Sequence, residues 1–304
     1  MTLDQLRVFV AVAERQHVTQ AARALNVAQS AASNAIASLE ARHKTRLFNR
    51  IGRHIELTDA GQAFLKEARA VLATVDAAEL ALMEFGSLKR GVLSVQASHT
   101  VANYWLPRHL AIFRRAYPEI EIRMSIGNTA QVAVAVESRV AELGFVEAAI
   151  HSEQVNSTTV ARDQVILVAS PGYDLVKRKS IAPRDLLNVE WVLRERGSGT
   201  RAVFEDALVQ SGLDPYALRV ALELPSNEAV RAAVEAGLGA AVISASVAAP
   251  SLEAGLLEQV NFRLPEREFY MLIHRDRHPS RAAREFLAML TSARVAKRPE
   301  ARRD

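Results

Sequence analysis

The sequence predicts a small, mostly helical N-terminal unit, a long connecting helix, and a C-terminal α/β unit built as two lobes. Three observations carry this. In the first 42 residues, apolar positions recur at helical spacing in three short runs separated by turn residues. From Ala60 to Leu88 there is no proline, and apolar residues recur every three or four positions. From Gly91 onward, short apolar runs alternate with helical stretches, the pattern of an α/β architecture.

A chain of 304 residues exceeds one ordinary core, and an apolar content of 49% is enough to fill more than one. The absence of cysteine excludes disulfides, thiolate metal sites and cysteine nucleophiles. The opening MTLDQLRVFVAVAERQ mixes charges with its apolar residues, unlike a signal peptide, and no apolar run approaches the ~18 residues needed to span a bilayer. The chain is therefore expected in the cytoplasm, away from membranes. Its net charge of +4 says little by itself. More telling is the stretch holding Arg42, Lys44, Arg46, Arg50 and Arg53 with no acidic residue among them. A solvated basic face is the plain reading of such a cluster; what precedes it points elsewhere.

Leu3, Leu6, Phe9, Val10 and Val12 predict a first helix to about Glu14. Thr19 is expected to cap a second helix, Gln20 to Leu25, and Asn26 to end it in a left-handed turn. A third helix follows from Gln29 to Arg42, with Ala32, Ile36 and Leu39 inward and Gln29, Ser30, Ser33 and Asn34 on its polar side. Two short helices joined by a tight turn, the second starting with short polar side chains, form a helix-turn-helix that reads DNA in the major groove. Residues 47–50 and 54–57 predict two short strands around Ile51-Gly52-Arg53, a wing whose arginines reach phosphates. Thr58 caps the long helix.

The run AARALNVAQSAASNAIASLEARHKTRLFNRIGRHIELTDAG resembles the winged helix-turn-helix of LysR-type regulators. Its Ala-Ala-x-x-Leu, Gln-Ser-Ala-x-Ser, Leu-Glu, Leu-Phe-x-Arg and Leu-Thr-x-x-Gly pieces stand in the family's order and spacing. The resemblance implies contacts to promoter DNA from Thr19, Gln29, Ser30, Ser33, Asn34, Lys44, Arg50 and Arg53. Two departures stand out. Ala28 occupies the place of a Ser or Thr cap, a loss of about 1 kcal/mol of helix stability. His43-Lys44 replaces an apolar residue followed by glycine, so the helix must exit differently.

In the connecting helix, Phe64, Leu65, Ala68, Val71, Leu72, Val75, Ala78, Leu82 and Phe85 form the stripe. It needs a partner, either its own domain or a second chain. The resemblance implies a homodimer through paired linker helices, and further assembly into a homotetramer. Expected strands beyond Gly91 are Val92–Ala97, Ile120–Ile126, Leu143–Val146, Val165–Ala169, Trp191–Leu193, Ala221–Leu224, Ala240–Ile243 and Phe269–Ile273. The helices are Leu106–Tyr117, Ala130–Val140, Ala202–Gln210, Glu228–Glu235 and one from Arg281 to about Ala293. This layout is similar to the family's effector-binding domain, of periplasmic-binding-protein type. The segments ASHTVANYWLPRHLAIFRRAYPEI, GNTAQV, LGFVEA, LRERGSGTR and AAVIS look most like the branch of carbon-fixation-operon and sulfur-metabolism regulators. The expected division is 1–59, 60–88 and 91–295, with lobe I at about 91–164 and 266–295, lobe II at about 165–265, and a polar flexible tail, 296–304.

Three strand ends each lead into a helix: Ser98-His99-Thr100, Asn128-Thr129 and Gly197-Ser198-Gly199-Thr200. Ligands of open α/β folds sit at the carboxyl ends of strands, where helix N-termini favour anions. The hydroxyls supply donors, the glycines allow close backbone approach, and Arg196 and Arg201 add charge. The expected effector is thus a small anion: an inorganic oxyanion, a carboxylate or a phosphorylated metabolite. The same hydroxyls fit a second reading as plain helix caps. Arg196 fits pairing with Glu195 or Glu147 equally. His99 reads as an anion donor or a structural histidine, and Glu147 as the partner of a protonated or hydroxylated ligand or of Arg196. No cofactor, metal cluster, catalytic group or nucleophile elbow is recognisable, and Gly-Ser-Gly-Thr is not Gly-x-Ser-x-Gly. An enzyme is not expected; a solute-binding protein of the periplasmic type is the alternative, disfavoured by the attached helix-turn-helix.

Overall fold

The computed structural model of the chain describes residues 1–51, 54–86 and 91–295. Arg53 at the expected wing tip and the tail 296–304 lie outside the described residues, as do the side chains of Arg50, Leu82 and Phe85. The chain falls into two compact units, the first Met1–Gly86 with Ser138–Val140, the second the remainder.

In the first unit, α1 (Leu3–Arg15) opens with a capping box. Thr2 Oγ1 accepts from the Gln5 N–H at 3.2 Å and Gln5 Oε1 from the Thr2 N–H at 3.0 Å. Helix α2 (Val18–Ala24) begins earlier than expected: His17 holds the cap position, without a side-chain bond, and Thr19 lies inside the first turn. Val18 packs against the domain core, and the Ala21 N–H bonds to the His17 carbonyl, so packing overrides the capping preference of Thr19. Asn26 is left-handed at φ 55°, as expected. Helix α3 (Gln29–His43) starts at Ala28 with no side-chain cap and buries Ala32, Ile36 and Leu39. Phe9 centres the core, its ring 5.4 Å from Phe48 and 4.8 Å from Phe64.

The exit from α3 shows how the chain manages without the family's glycine. Lys44 itself adopts φ 51°, a conformation that L residues adopt at a cost. Lys44→Gly is expected to stabilise the protein by about 0.5–1 kcal/mol, read as a raised unfolding midpoint; a lowered midpoint would show the lysine side chain outweighing the strain. Glu40 then anchors the next segment, its Oε1 accepting from the N–H groups of Leu47 at 2.7 Å and Phe48 at 3.1 Å. Strands β1 (Phe48–Ile51) and β2 (His54–Leu57) pair antiparallel as the stem of the wing. Thr58 caps α4 (Asp59–Gly86) by accepting from the Gly61 N–H at 3.0 Å. A Cβ at Gly61 would lie 2.1 Å from the Leu47 carbonyl oxygen, which explains the glycine of the Leu-Thr-x-x-Gly piece. Phe64, Leu65, Ala68 and Leu72 of the stripe pack onto the unit's own core, whereas Val71 remains 42% exposed.

Among the described residues, the second unit contains nine strands in one sheet, ordered β4-β3-β5-β11-β6-β9-β7-β8, with β10 beside β6. Lobe I holds β3 (Gly91–Ser98), β4 (Ile120–Gly127) and β5 (Leu143–Val146), mutually parallel, with α5 (Leu106–Ala116), α6 (Thr129–Glu137) and α10 (Arg281–Val295). Lobe II holds β7 (Glu190–Arg194), β8 (Arg219–Leu224) and β9 (Ala240–Ser244), also parallel, with α7 (Gly199–Gln210), α8 (Asn227–Glu235) and α9 (Ala245–Glu253). Two long strands, β6 (Val155–Ala169) and β11 (Glu266–His274), join the lobes. The polar half of β6, from Asn156 to Thr159, has no apolar signature because backbone pairing with β11 alone makes it a strand. Also unforeseen are α9, β10 (Glu258–Gln259), a π-helical turn at Val101–Trp105 and a 3₁₀ turn at Pro183–Asn188. Leu93, Phe113, Phe145 and Phe286 fill lobe I; Leu167, Trp191 and Phe204 fill lobe II. No helix among the described residues is long and apolar enough to cross a membrane.

Candidate functional site

The start of α3 presents the features of a groove-reading helix. Gln29, Ser30 and Asn34 are exposed, Ser33 and Thr19 are half-buried, and Lys44 is exposed at the far end. Because Ala28 caps nothing, the first N–H groups of α3 keep their hydrogens for an outside acceptor such as phosphate. Ala28 and Ala31 share this exposed surface, which polar-residue reasoning passed over.

In the second unit, parallel pairing brings strand ends together. Ser98 ends β3 and His99–Thr100 follow it, Asn128–Thr129 follow β4 and Glu147 follows β5, all at the carboxyl edge of lobe I. Gly197–Thr200 follow β7 and Asn227 follows β8 in lobe II. Bonds cross from lobe to lobe. Asn227 Nδ2 donates to Thr100 Oγ1 at 2.9 Å, and Asn103 and Tyr104 both donate to Glu228 at 3.2 Å. The Ala130 N–H donates to the Gly197 carbonyl at 3.2 Å. Gly199 is tight against the opposite lobe: a Cβ there would lie 2.7 Å from Thr129 Oγ1 and 3.2 Å from Glu147 Oε2.

Glu147 is the centre of this cluster, only 3% exposed, with Thr129 Oγ1 donating to its Oε2 at 3.1 Å. Burial pushes its pKa up, but the Arg267 charge and the Ser98, Thr100 and Thr129 hydroxyls outweigh burial and hold it below the ordinary carboxylate range. Glu147 is therefore ionised at neutral pH. Ser98 Oγ faces it but is enclosed without a partner at hydrogen-bonding geometry. Arg267, from β11, brings a buried cation to the cleft. Its Nη1 donates to Thr200 Oγ1 at 2.9 Å, and its Nε reaches Asp163 Oδ2 at 2.7 Å; Ser244 Oγ donates to Asp163 Oδ1 at 2.8 Å. Burial and the Arg194 charge lower the pKa of His99 against the opposing pull of Glu195, Glu228 and Glu147, which leaves its imidazole neutral near pH 7.

Several expected residues have other duties. Arg201 turns from the cleft to Glu205 at 2.7 Å, to Glu223, and to the Arg194 carbonyl. Arg196 stacks over the Tyr216 ring, 5.1 Å from its centroid, rather than on Glu195 or Glu147, and Arg194 grips Glu195 through two bonds of 2.8 and 2.9 Å. Asn128 Oδ1 caps α6 through the Gln131 N–H at 3.0 Å, while its Nδ2 reaches the Arg196 carbonyl at 3.5 Å. Ser198 and Thr100 make no side-chain cap, so simple capping does not account for their burial. Sequence reasoning missed Asn227 and Arg267. Period-two alternation along β11 places Arg267 on the inward side with Phe269, and was the signal available.

Known proteins share both units. A family profile described as "Bacterial regulatory helix-turn-helix protein, lysR family" matches residues 3–62, and one described as "LysR substrate binding domain" matches residues 86–294. The regulator YeiE of Escherichia coli is 35% identical over 297 residues, 97% of this chain and 99% of its own. A probable RuBisCO transcriptional regulator of Cyanidioschyzon merolae is 32% identical, covering 94% and 96% of the two chains. The regulator CysL of Bacillus subtilis is 32% identical, covering 89% and 91%. These relatives fit the carbon-fixation and sulfur branches expected from the sequence, and they are transcriptional regulators rather than solute carriers. The chain belongs to the LysR family of DNA-binding transcriptional regulators, with an N-terminal helix-turn-helix and a C-terminal effector-binding domain.

Proposed function

We propose that α3 reads promoter DNA through Gln29, Ser30, Ser33 and Asn34, with Thr19, Lys44, Arg50 and Arg53 on phosphates, and that a small oxyanion-bearing effector sits between the lobes. The cleft observation that carries this reading is the enclosed Ser98 hydroxyl facing Glu147, which in turn lies against Gly199 at the uncapped N-terminus of α7. Ser98, His99, Thr100, Thr129, Glu147, Gly197, Ser198 and Thr200 would line the site, with Asn128 and Arg196 at its rim. The cleft binds without catalysing, and the protein works in the cytoplasm as a homodimer or homotetramer. Its linker, 60–88, meets a partner through what its own core leaves uncovered, including Val71 and Val75. Ligand closure of the two lobes of 91–295 changes the geometry of paired reading heads, provided the ligand prefers one arrangement.

A thermal-melting screen against phosphate, phosphorylated metabolites and small carboxylates tests the effector half. A ligand at 100 times its Kd adds about 2.7 kcal/mol. The expected result is a raised midpoint in the parent protein that Thr200→Val abolishes. Equal rises in both would place the ligand elsewhere.

A further inference from the structure

We infer that the cleft sorts oxyanions by the proton they carry: Glu147 admits a hydrogenphosphate-type group, which brings an O–H donor, and refuses a sulfate-type group, which brings none. The inference rests on the reading of the cleft as the effector site.

The count of hydrogens decides the matter. A carboxylate only accepts, and a hydroxyl donates one hydrogen. The Thr129 hydrogen is spent on Glu147 at 3.1 Å. The Thr100 oxygen already accepts from Asn227 at 2.9 Å, and its hydroxyl faces Glu147. Thr200 accepts from Arg267 at 2.9 Å, which leaves its own hydrogen for a ligand. Ser98, enclosed beside them, also turns its hydroxyl toward Glu147, so toward lobe I the site shows mostly acceptors.

Charge points the same way. Two buried carboxylates, Glu147 and Asp163, share one buried guanidinium, Arg267, so the group carries one net negative charge. The nearby Arg194–Glu195 pair is balanced and adds none. Hydrogenphosphate and sulfate carry the same net charge, so the contact itself separates them: a bare oxygen against Glu147 meets like charge and lone pair against lone pair where little water screens them. A ligand O–H pointed at Glu147 turns that contact into a charge-assisted hydrogen bond. The remaining ligand oxygens have the uncapped N–H groups of α7 and the Thr200 hydroxyl as donors.

Phosphate and sulfate are near-equal in size and shape, so they isolate the proton. Calorimetric titration of the full-length protein at about pH 8 and matched ionic strength, where both ions are mostly dianions, is expected to favour phosphate by at least about 100-fold; a site built to bond a ligand hydroxyl rejects the analogue lacking it by up to about 10⁴–10⁵. Glu147→Gln keeps the shape and adds an amide donor; it is expected to gain sulfate binding and narrow the ratio to within about tenfold. Sulfate binding to the parent within about threefold of phosphate would overturn the inference while leaving the effector site standing. So would a folded Glu147→Gln protein that keeps the full ratio. Failure of both ions to bind the parent would overturn this inference, and the effector reading falls with it only if no ligand of the melting screen binds either. The parent comparison stands even if the variant does not fold.

Discussion

Arg267→Met is expected to destabilise the second unit by about 3–5 kcal/mol, because it leaves Asp163 and Glu147 as buried carboxylates without their cation. Asp163 accepts from Arg267 at 2.7 Å, and both side chains are almost wholly buried. Removing the charge of one partner does more harm than removing both. Asp163→Leu combined with Arg267→Met should recover part of the loss, since apolar replacement of a buried pair is often near neutral. Both tryptophans, Trp105 and Trp191, lie in the second unit, so fluorescence during urea unfolding of the full chain reports on it directly. A loss below about 1 kcal/mol in Arg267→Met would mean that the pair does not hold Glu147 and Asp163 in place.

The second large effect concerns DNA. Asn34→Ala should cost about 1–3 kcal/mol of discrimination between a selected duplex and a scrambled one, as expected when an amide that reads a base edge is lost. Lys44→Gly should weaken both duplexes alike and reduce the salt slope by about one, since a lysine on phosphate carries no sequence information. Fluorescence anisotropy on duplexes selected from a random pool separates the two signatures. Equal losses on both duplexes for Asn34→Ala would move it from base reading to backbone contact.

The sequence made the helix-turn-helix legible because each joint leaves a local mark. Asn26 is left-handed, Thr58 caps α4, and Gly61 sits where any Cβ would strike the Leu47 carbonyl. Thr19 misled because its capping preference is worth less than the packing of Val18. The strand ends of the cleft were legible for the same local reason, a short apolar run followed by hydroxyls or glycine. What could not be read was which way the arginines turn. Arg201 and Glu205 are an i,i+4 pair on α7, and that spacing, together with Glu223 on β8, takes the guanidinium from the cleft. Arg267 reaches the cleft from a strand 67 residues further along the chain than its partner Thr200, a link made only by the long β11–β6 pairing. Glu147 was ambiguous until its three hydroxyl neighbours and distant Arg267 identified it as a buried, ionised acceptor.

In the proposed function, a ligand in the cleft of one unit changes how the other binds DNA. Duplex affinity measured with and without saturating phosphate, at matched ionic strength, in the parent and in Thr200→Val tests this most directly. Allosteric coupling of typical size predicts a change of about fivefold or more in the parent and none in the variant. Identical affinities in all four conditions, from a protein shown by calorimetry to bind phosphate, would contradict it.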